Sequence, residues 1–455
     1  MRSPVIRWDR AFMRKLILIA LPIVIQNLVS ASLHIIDGLM LSQLPGDAPY
    51  AGVTQANRFT FVFQLFCFGA ASGCSIYMSQ YFGNGETKRM RMVLGLALRI
   101  TLGLSLLFAG LALFAPRLVV SLFLEPGESF DYAVRYLRMV APGYFLTAVD
   151  ACYAGCLKSS QRTAIPMLAG VTGIGVNTLL NYALIFGHWG FPALGVEGAA
   201  LATVIAGGVT LAIDLGFTYG KKLPAAARLS DFRLPDKAYL KAFFRKVLPV
   251  VANEGLWSMG MAMYSVFYGR LGDQALSAVG IYNSVDQLVF VIIYGLMNAS
   301  AIWVGGQLGA GDKEGACLTA KRMLAGAIAT GAVMGVLLLA LRYPLVSFFA
   351  ISPQGQEMAL KILGFAACFL WMRAINSINV VGILRAGGDT LFSMLLDGGA
   401  VWLCGVPLVG IAALVFHWPV EYVYLCSLVE EALKVTIGLP RFKSGKWLQV
   451  LSSKG

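Results

Sequence analysis

Long apolar runs recur along the whole chain and are separated by short polar segments. A helix needs roughly 20 apolar residues to cross the hydrocarbon core of a bilayer, and about twelve runs approach or exceed that length. No run alternates with the period of two that a membrane β-barrel requires. The pattern therefore predicts an all-α integral membrane protein with about 12 transmembrane helices. The predicted spans are 15–41, 52–80, 92–115, 132–156, 164–187, 194–219, 243–269, 275–305, 319–341, 358–383, 391–414 and 419–439.

The composition strengthens this interpretation. Hydrophobic residues make up 58% of the 455 residues and charged residues only 13%, whereas a soluble chain carries about 25% charged residues. The net charge of +13 comes from Lys and Arg residues that gather in alternate loops, as the positive-inside rule describes. The charge therefore indicates topology rather than a nucleic-acid partner. We expect a multi-pass protein of the cell inner (plasma) membrane with both termini in the cytoplasm.

An internal repeat divides the chain into two halves. Motifs of the first half return about 227 positions later and in the same order. The pairs are RAFMRK and KAFFRK, PIVIQN and PVVANE, SQYFGNGE and GQLGAGD, and LKSSQRT and LRAGGDT. Each half holds six predicted spans, an even number, so both halves enter the membrane from the same side. The repeat predicts two six-helix bundles related by a pseudo-two-fold axis along the membrane normal.

The predicted domains follow from the repeat. Residues 1–219 form the N-terminal bundle, residues 220–242 a charged cytoplasmic linker, and residues 243–455 the C-terminal bundle with a cytoplasmic tail. Two such bundles leave a cleft that can open to either side of the membrane in turn, which is the alternating-access arrangement of transporters. No Walker A motif is present, so we do not expect ATP hydrolysis, and the absence of HExxH, GxSxG and paired Cys/His motifs leads us to expect no other enzyme activity.

The repeated motifs, taken in order, resemble the MATE (multidrug and toxic compound extrusion) family over nearly all of residues 15–439. The motifs that carry the resemblance are LPIVIQN, QYFGNGE, LKSSQRT, NTLLNYALIFG, GVEGAALAT, LPVVANE, GQLGAGD and LRAGGDT. The resemblance implies a secondary active exporter that antiports organic, often cationic, compounds against inward Na⁺ or H⁺. It implies no cofactor beyond that coupling ion. Small organic molecules and the lipid bilayer are the expected partners, and a monomer is expected.

Polar residues inside the first-half spans form a candidate site for the coupling cation. Asp37 lies about two-thirds through the first span, and Asn177 and Asn181 lie one turn apart on the fifth, so they share a face. Thr203 enters the sixth span to a similar depth. Carboxylate, amide and hydroxyl oxygens suit a hard cation, so Asp37, Asn177 and Asn181 are the expected Na⁺ ligands if Na⁺ is used. The alternative is a cluster of hydrogen bonds that only packs helices.

Charges near the middle of the second-half spans form a second set of candidates. A charge at this depth costs about 3 kcal/mol on insertion scales, so it normally faces a partner or water. Glu254 has no evident partner in the sequence and is the candidate for coupling. Arg373 and Asp397 lie at similar depth on consecutive spans and either pair with each other or, with Asp286, line the substrate cleft.

Four further residues are assigned to the substrate cleft with an alternative for each. Trp257 and Tyr282 either stack on flat cations or pack against neighbouring helices. Arg58 in the second span faces the cleft, pairs with Asp37 or Asp286, or lies near the outer surface. Asp150 in the fourth span lines the cleft or holds a neighbouring helix.

Two rival functions remain open. A lipid-linked oligosaccharide flippase of the same superfamily would share the bundles but would need several cations for its pyrophosphate. A membrane enzyme or an assembly scaffold without transport activity would need a polar catalytic cluster or a soluble domain, and the sequence shows neither.

Overall fold

The computed structural model describes residues 8–349 and 351–451, and within these ranges every regular element is a helix. The helices of the first half are α1 (Arg10–Leu41), α2 (Ala48–Gly83), α3 (Thr87–Phe114), α4 (Pro116–Val120), α5 (Glu128–Val140), α6 (Gly143–Ser159), α7 (Ala164–Phe186) and α8 (Val196–Gly220). Those of the second half are α9 (Lys237–Gly269), α10 (Asp273–Gly309), α11 (Lys313–Ser347), α12 (Pro353–Asn376), α13 (Thr390–Ala400), α14 (Val406–Leu414) and α15 (Val420–Lys443).

Every predicted span coincides with one of these helices or with a consecutive pair. By length and apolar composition alone, nine helices of the described residues qualify as membrane spans, or ten when the bent pair of α5 and α6 counts as one. Helices α9 and α15 are not among them. Glu430, Glu431 and Lys434 in the middle of α15 lower its mean hydropathy.

The predicted fourth span is not one straight helix. Helices α5 and α6 meet at Ala141 and Pro142 with a bend of 53°. Proline has no N–H for the helical hydrogen bond and its ring clashes with the preceding turn, so a break at this point is expected physically. Span prediction by hydropathy does not register the break, because both sides of it are apolar.

The described residues divide into two compact units, each with its own core. One unit, called the N-unit here, is Ile25–Lys237; the other, the C-unit, contains the described residues up to Val24 together with those from Ala238 onward. One division falls within the predicted linker, and the other falls inside α1. Packing explains the latter, because Phe12 stacks on Trp303 with ring centroids 4.9 Å apart and Lys15 lies 4.6 Å from the same ring.

Two segments of π-helix interrupt the second half. Ser377–Leu384 continues α12, and Val401–Gly405 joins α13 to α14. Such segments widen the helix locally and are frequent at functional sites. Gly405, which ends the second segment, lies directly against the side chains of Tyr264 and Glu430. A small residue is required there for the helices to approach this closely.

Replacing Gly405 with Ala tests this packing. The added methyl group would overlap both the Tyr264 hydroxyl and the Glu430 carboxylate, so we expect a destabilisation of about 1–3 kcal/mol, read as a lower Tm in detergent. Gly399→Ala is the matched control, because nothing lies within 4 Å of its added methyl group and alanine favours a helix. Equal Tm values for the two variants would contradict the packing argument.

Candidate functional site

The structure brings the four first-half candidates together in the N-unit. Asn181 Nδ2 donates to Asp37 Oδ1 at 2.6 Å and to Asn177 Oδ1 at 3.0 Å. Asn177 Nδ2 in turn donates to Thr203 Oγ1 at 3.4 Å. Helices α1, α7 and α8 thus contribute one carboxylate, two amides and one hydroxyl to a single chain of hydrogen bonds.

Helix geometry explains why these side chains meet. Asn177 and Asn181 are one turn apart on α7 and both are buried, at 3% and 2% exposure. Gly173, one turn before Asn177, lies directly against Thr210 of α8, and the missing side chain lets the two helices approach closely. Thr203 lies at the exposed side of the cluster.

One oxygen of the cluster has no hydrogen-bond partner. Asn181 Oδ1 is buried and accepts no hydrogen bond from the described residues, although its amide nitrogen makes two. Buried polar atoms are normally satisfied, so a group left unpaired needs an explanation. An unpaired amide oxygen beside the Asp37 carboxylate is the type of ligand that a hard cation prefers.

Tyr136 and Asn57 are two neighbours of this cluster that were not predicted from the sequence. Tyr136 of α5 interacts with Asp37 and lies beside Thr203 and Asn57. Tyr136 lies near the start of the predicted span 132–156, between the charged residues Arg135 and Arg138. The amphipathic pattern of α5, with Ala133, Val134, Tyr136, Leu137 and Val140 buried, is the signal that could have found Tyr136.

The predicted pairing of Arg373 with Asp397 is wrong. Arg373 of α12 instead forms a bidentate ion pair with Asp286 of α10, with N–O distances of 2.5 and 3.0 Å. Asp397 of α13 pairs with Lys434 of α15 at 3.0 Å and accepts from Asn253 at 2.9 Å. The predicted pair requires that consecutive helices place these side chains opposite each other. In the structure α12 packs against α10, and α13 packs against α15.

Glu254 also has a partner that the sequence did not reveal. Arg385 Nη1 lies 2.6 Å from Glu254 Oε1, and Arg385 is only 3% exposed. Its position just after the predicted span 358–383 indicates a charge of a cytoplasmic loop. Arg385 follows the π-helical segment Ser377–Leu384, and that segment carries it into the protein.

A larger ionic cluster surrounds Lys434 in the C-unit. The Lys434 ammonium lies 3.0 Å from Asp397, 3.3 Å from Glu430 and 3.7 Å from Glu431, and the residue is 3% exposed. Tyr264 donates to Glu430 at 2.6 Å, and Asn376 donates to Glu431 at 2.6 Å. The three α15 charges lie inside the predicted span 419–439, but the sequence alone does not show which residues face them.

The remaining candidates occupy different surroundings. Tyr282 is buried edge-to-face against Tyr424, with centroids 4.7 Å apart, and Trp257 is half-buried on α9. Arg58 is exposed and forms no ion pair with any described residue of its own unit, so the predicted pairing with Asp37 is not made. Asp150 interacts with Asp214 of α8, a residue that the sequence analysis did not single out.

Comparisons with known proteins agree with this architecture. The MatE family model matches residues 22–183 and again residues 249–411, so the second match starts 227 positions after the first. A probable multidrug resistance protein NorM of Thermotoga maritima is 26% identical over 439 residues, covering 95% of this chain and 93% of that protein. Multidrug resistance protein PmpM of Pseudomonas aeruginosa is 26% identical over 406 residues, covering 88% of this chain and 83% of that protein.

Solved structures show the same fold. A MATE protein crystallised with MaL6 superposes with a TM-score of 0.86 at 19% identity, covering 97% of this chain and 98% of that one. An outward-facing MATE family transporter of the MOP superfamily gives a TM-score of 0.85 at 19% identity with the same coverage. Those structures have 12 helices in two bundles, which confirms the predicted fold class.

Replacing Lys434 with Met tests whether the ammonium holds its cluster together. The change leaves the carboxylates of Asp397, Glu430 and Glu431 buried without their cation, and breaking a buried ion pair in this way costs about 3–5 kcal/mol. We expect a large loss of Tm in detergent. Lys443→Met on the same helix is the control, because Lys443 is exposed. Similar Tm values for both variants would show that the cluster contributes little to stability.

Proposed function

Since this chain belongs to the MatE family of membrane transporters, we propose that it is a secondary active exporter of organic compounds, driven by the inward movement of Na⁺ or H⁺. Relatives at 26% identity are named multidrug resistance proteins, which supports a broad range of substrates. Alternating access would expose the cation site to one side of the membrane at a time.

The observation that carries the proposal is the Asp37 cluster. It combines a carboxylate at membrane depth with an unpaired amide oxygen, and the described residues place no cation within ion-pair distance of that carboxylate. A charge in this position costs several kcal/mol unless it is compensated. Binding of Na⁺, with Asp37, Asn177 and Asn181 as ligands, or of a proton on Asp37 would remove that cost. We therefore assign the coupling cation to this cluster.

Glu254 takes a secondary role in this proposal. Its carboxylate is already neutralised by Arg385 at 2.6 Å, so it would have to leave that pair before it could take up a cation. Asp37 needs no such rearrangement. Coupling through Glu254 would thus follow a change in the C-unit rather than start the cycle.

The buried charges also bear on the substrate. In the C-unit, Asp286 neutralises Arg373, Glu254 neutralises Arg385, and Lys434 faces three carboxylates. No surplus of buried cations is left in these clusters to bind a pyrophosphate, which argues against the flippase alternative. The excess of carboxylates around Lys434 favours cationic compounds over anionic ones.

Replacing Asp37 with Asn tests the coupling site. The amide preserves size and hydrogen bonding but removes the charge, so we expect efflux of a cationic dye from proteoliposomes to fall at least about tenfold, equivalent to about 1.4 kcal/mol. Asp47→Asn is the control, because Asp47 is exposed just before α2. Imposing a Na⁺ gradient without a pH gradient, and then the reverse, identifies the ion. Efflux that is equal in the two variants under both gradients would overturn the assignment.

A further inference from the structure

A second cluster of buried carboxyl groups lies in the N-unit, apart from Asp37. Asp150 of α6 and Asp214 of α8 interact directly, and helices α6 and α8 pack against each other. Asp214 is only 1% exposed. The transport mechanism proposed above does not use either residue.

Four buried oxygen atoms in this part of α6 and α8 accept no hydrogen bond from an N–H or hydroxyl group of the described residues, although the Asp150 and Asp214 carboxyl groups lie within hydrogen-bond reach of each other when one of them holds a proton. They are Asp150 Oδ1, both Asp214 carboxyl oxygens and Thr218 Oγ1. Thr218 is fully buried and lies one turn after Asp214, on the same face of α8. Most buried polar atoms find a partner, and leaving a carboxylate without one is expensive. Several unpaired oxygens at one place therefore point to a ligand that they share.

The charge balance indicates the sign of that ligand. The charged groups that act on Asp214 are Asp150 and Lys158, and those that act on Asp150 are Lys158 and Asp214. The Cys152 thiol also lies close enough to Asp150 to interact with it. Two carboxylates against one ammonium leave a single negative charge within the membrane, where an uncompensated charge is costly. One monovalent cation would balance it.

The cluster occupies a different depth from the Asp37 site. Thr203 and Asp214 lie on α8 eleven residues apart, which is close to three full turns and about 16 Å along the helix axis. They therefore share one face of the helix. Asp214 lies near the end of α8 that leads into the basic linker, and Thr203 near the opposite end.

We propose that Asp150, Asp214 and Thr218 form a second monovalent-cation site that takes up Na⁺ or a proton. The oxygen ligands suit Na⁺, and a carboxyl pair is equally suited to share a proton. The site neutralises the N-unit on the linker side, as the Asp37 cluster does on the other side. Binding there does not depend on export, so it is measured separately from the proposed function.

Equilibrium binding of ²²Na⁺ to the purified full-length protein tests the Na⁺ form. Asp214→Asn should lower the bound Na⁺ by about one ion per chain, whatever the effect of Asp37→Asn, and the double variant should add the two losses because the sites are far apart. Thr218→Val is a milder variant that removes one ligand and should weaken binding of the same ion. Asp47→Asn serves as the control and should bind as the unaltered protein does.

Infrared titration distinguishes a proton from Na⁺. If the ligand is a proton, ²²Na⁺ binding stays unchanged in Asp214→Asn, while a protonated-carboxyl band present in the unaltered protein and in Asp37→Asn disappears. Asp150→Asn should shift that band, since it removes the other half of the pair. The proposal is overturned if folded Asp214→Asn and Asp150→Asn match the unaltered protein in both measurements.

Discussion

The free energy of placing a charge inside a membrane is the constraint on which this structure depends. Water is absent from the hydrocarbon core, so each buried carboxylate, ammonium or guanidinium needs a partner within the protein or a bound ion. The C-unit meets part of this need with its own side chains. Lys434 lies among three carboxylates, and Arg373 and Arg385 each contact one. These pairs join α9, α10, α12, α13 and α15, and they determine how the helices of that unit are held together.

Close helix packing makes those pairs possible. Gly405 allows Tyr264 to reach Glu430, and the π-helical segment before Arg385 turns that side chain inward. In lipid, helices gain little from burying apolar surface, so small residues and polar contacts carry much of the association. The irregular segments of the second half thus bring its buried charged side chains within reach of their partners.

The two halves compensate their buried charges in different ways. At the repeat offset, Asp37 corresponds to Tyr264, which donates to Glu430 within the Lys434 cluster. The C-unit therefore carries its cations on covalently attached side chains. In the N-unit, the described residues place no cation within ion-pair distance of Asp37. This difference is a physical reason to place the exchangeable coupling cation beside Asp37, whereas the Lys434 cluster contains a cation of the protein itself.

The sequence by itself determined the membrane class, the helices and the repeat, because a bilayer acts on each apolar run locally and independently of its neighbours. The sequence also predicts that Asp37, Asn177, Asn181 and Thr203 lie at a similar depth in the membrane, because counting residues along a helix measures that depth. The partners of the buried charges become evident once the helices are packed together. Arg373 and Arg385 pair with residues on other helices. Counting residues along a helix does not show which helices are in contact or how each helix is rotated. The Lys434 cluster and Asp214 were missed for the same reason: a charge in an apolar run shows its burial only once the surrounding helices are in place.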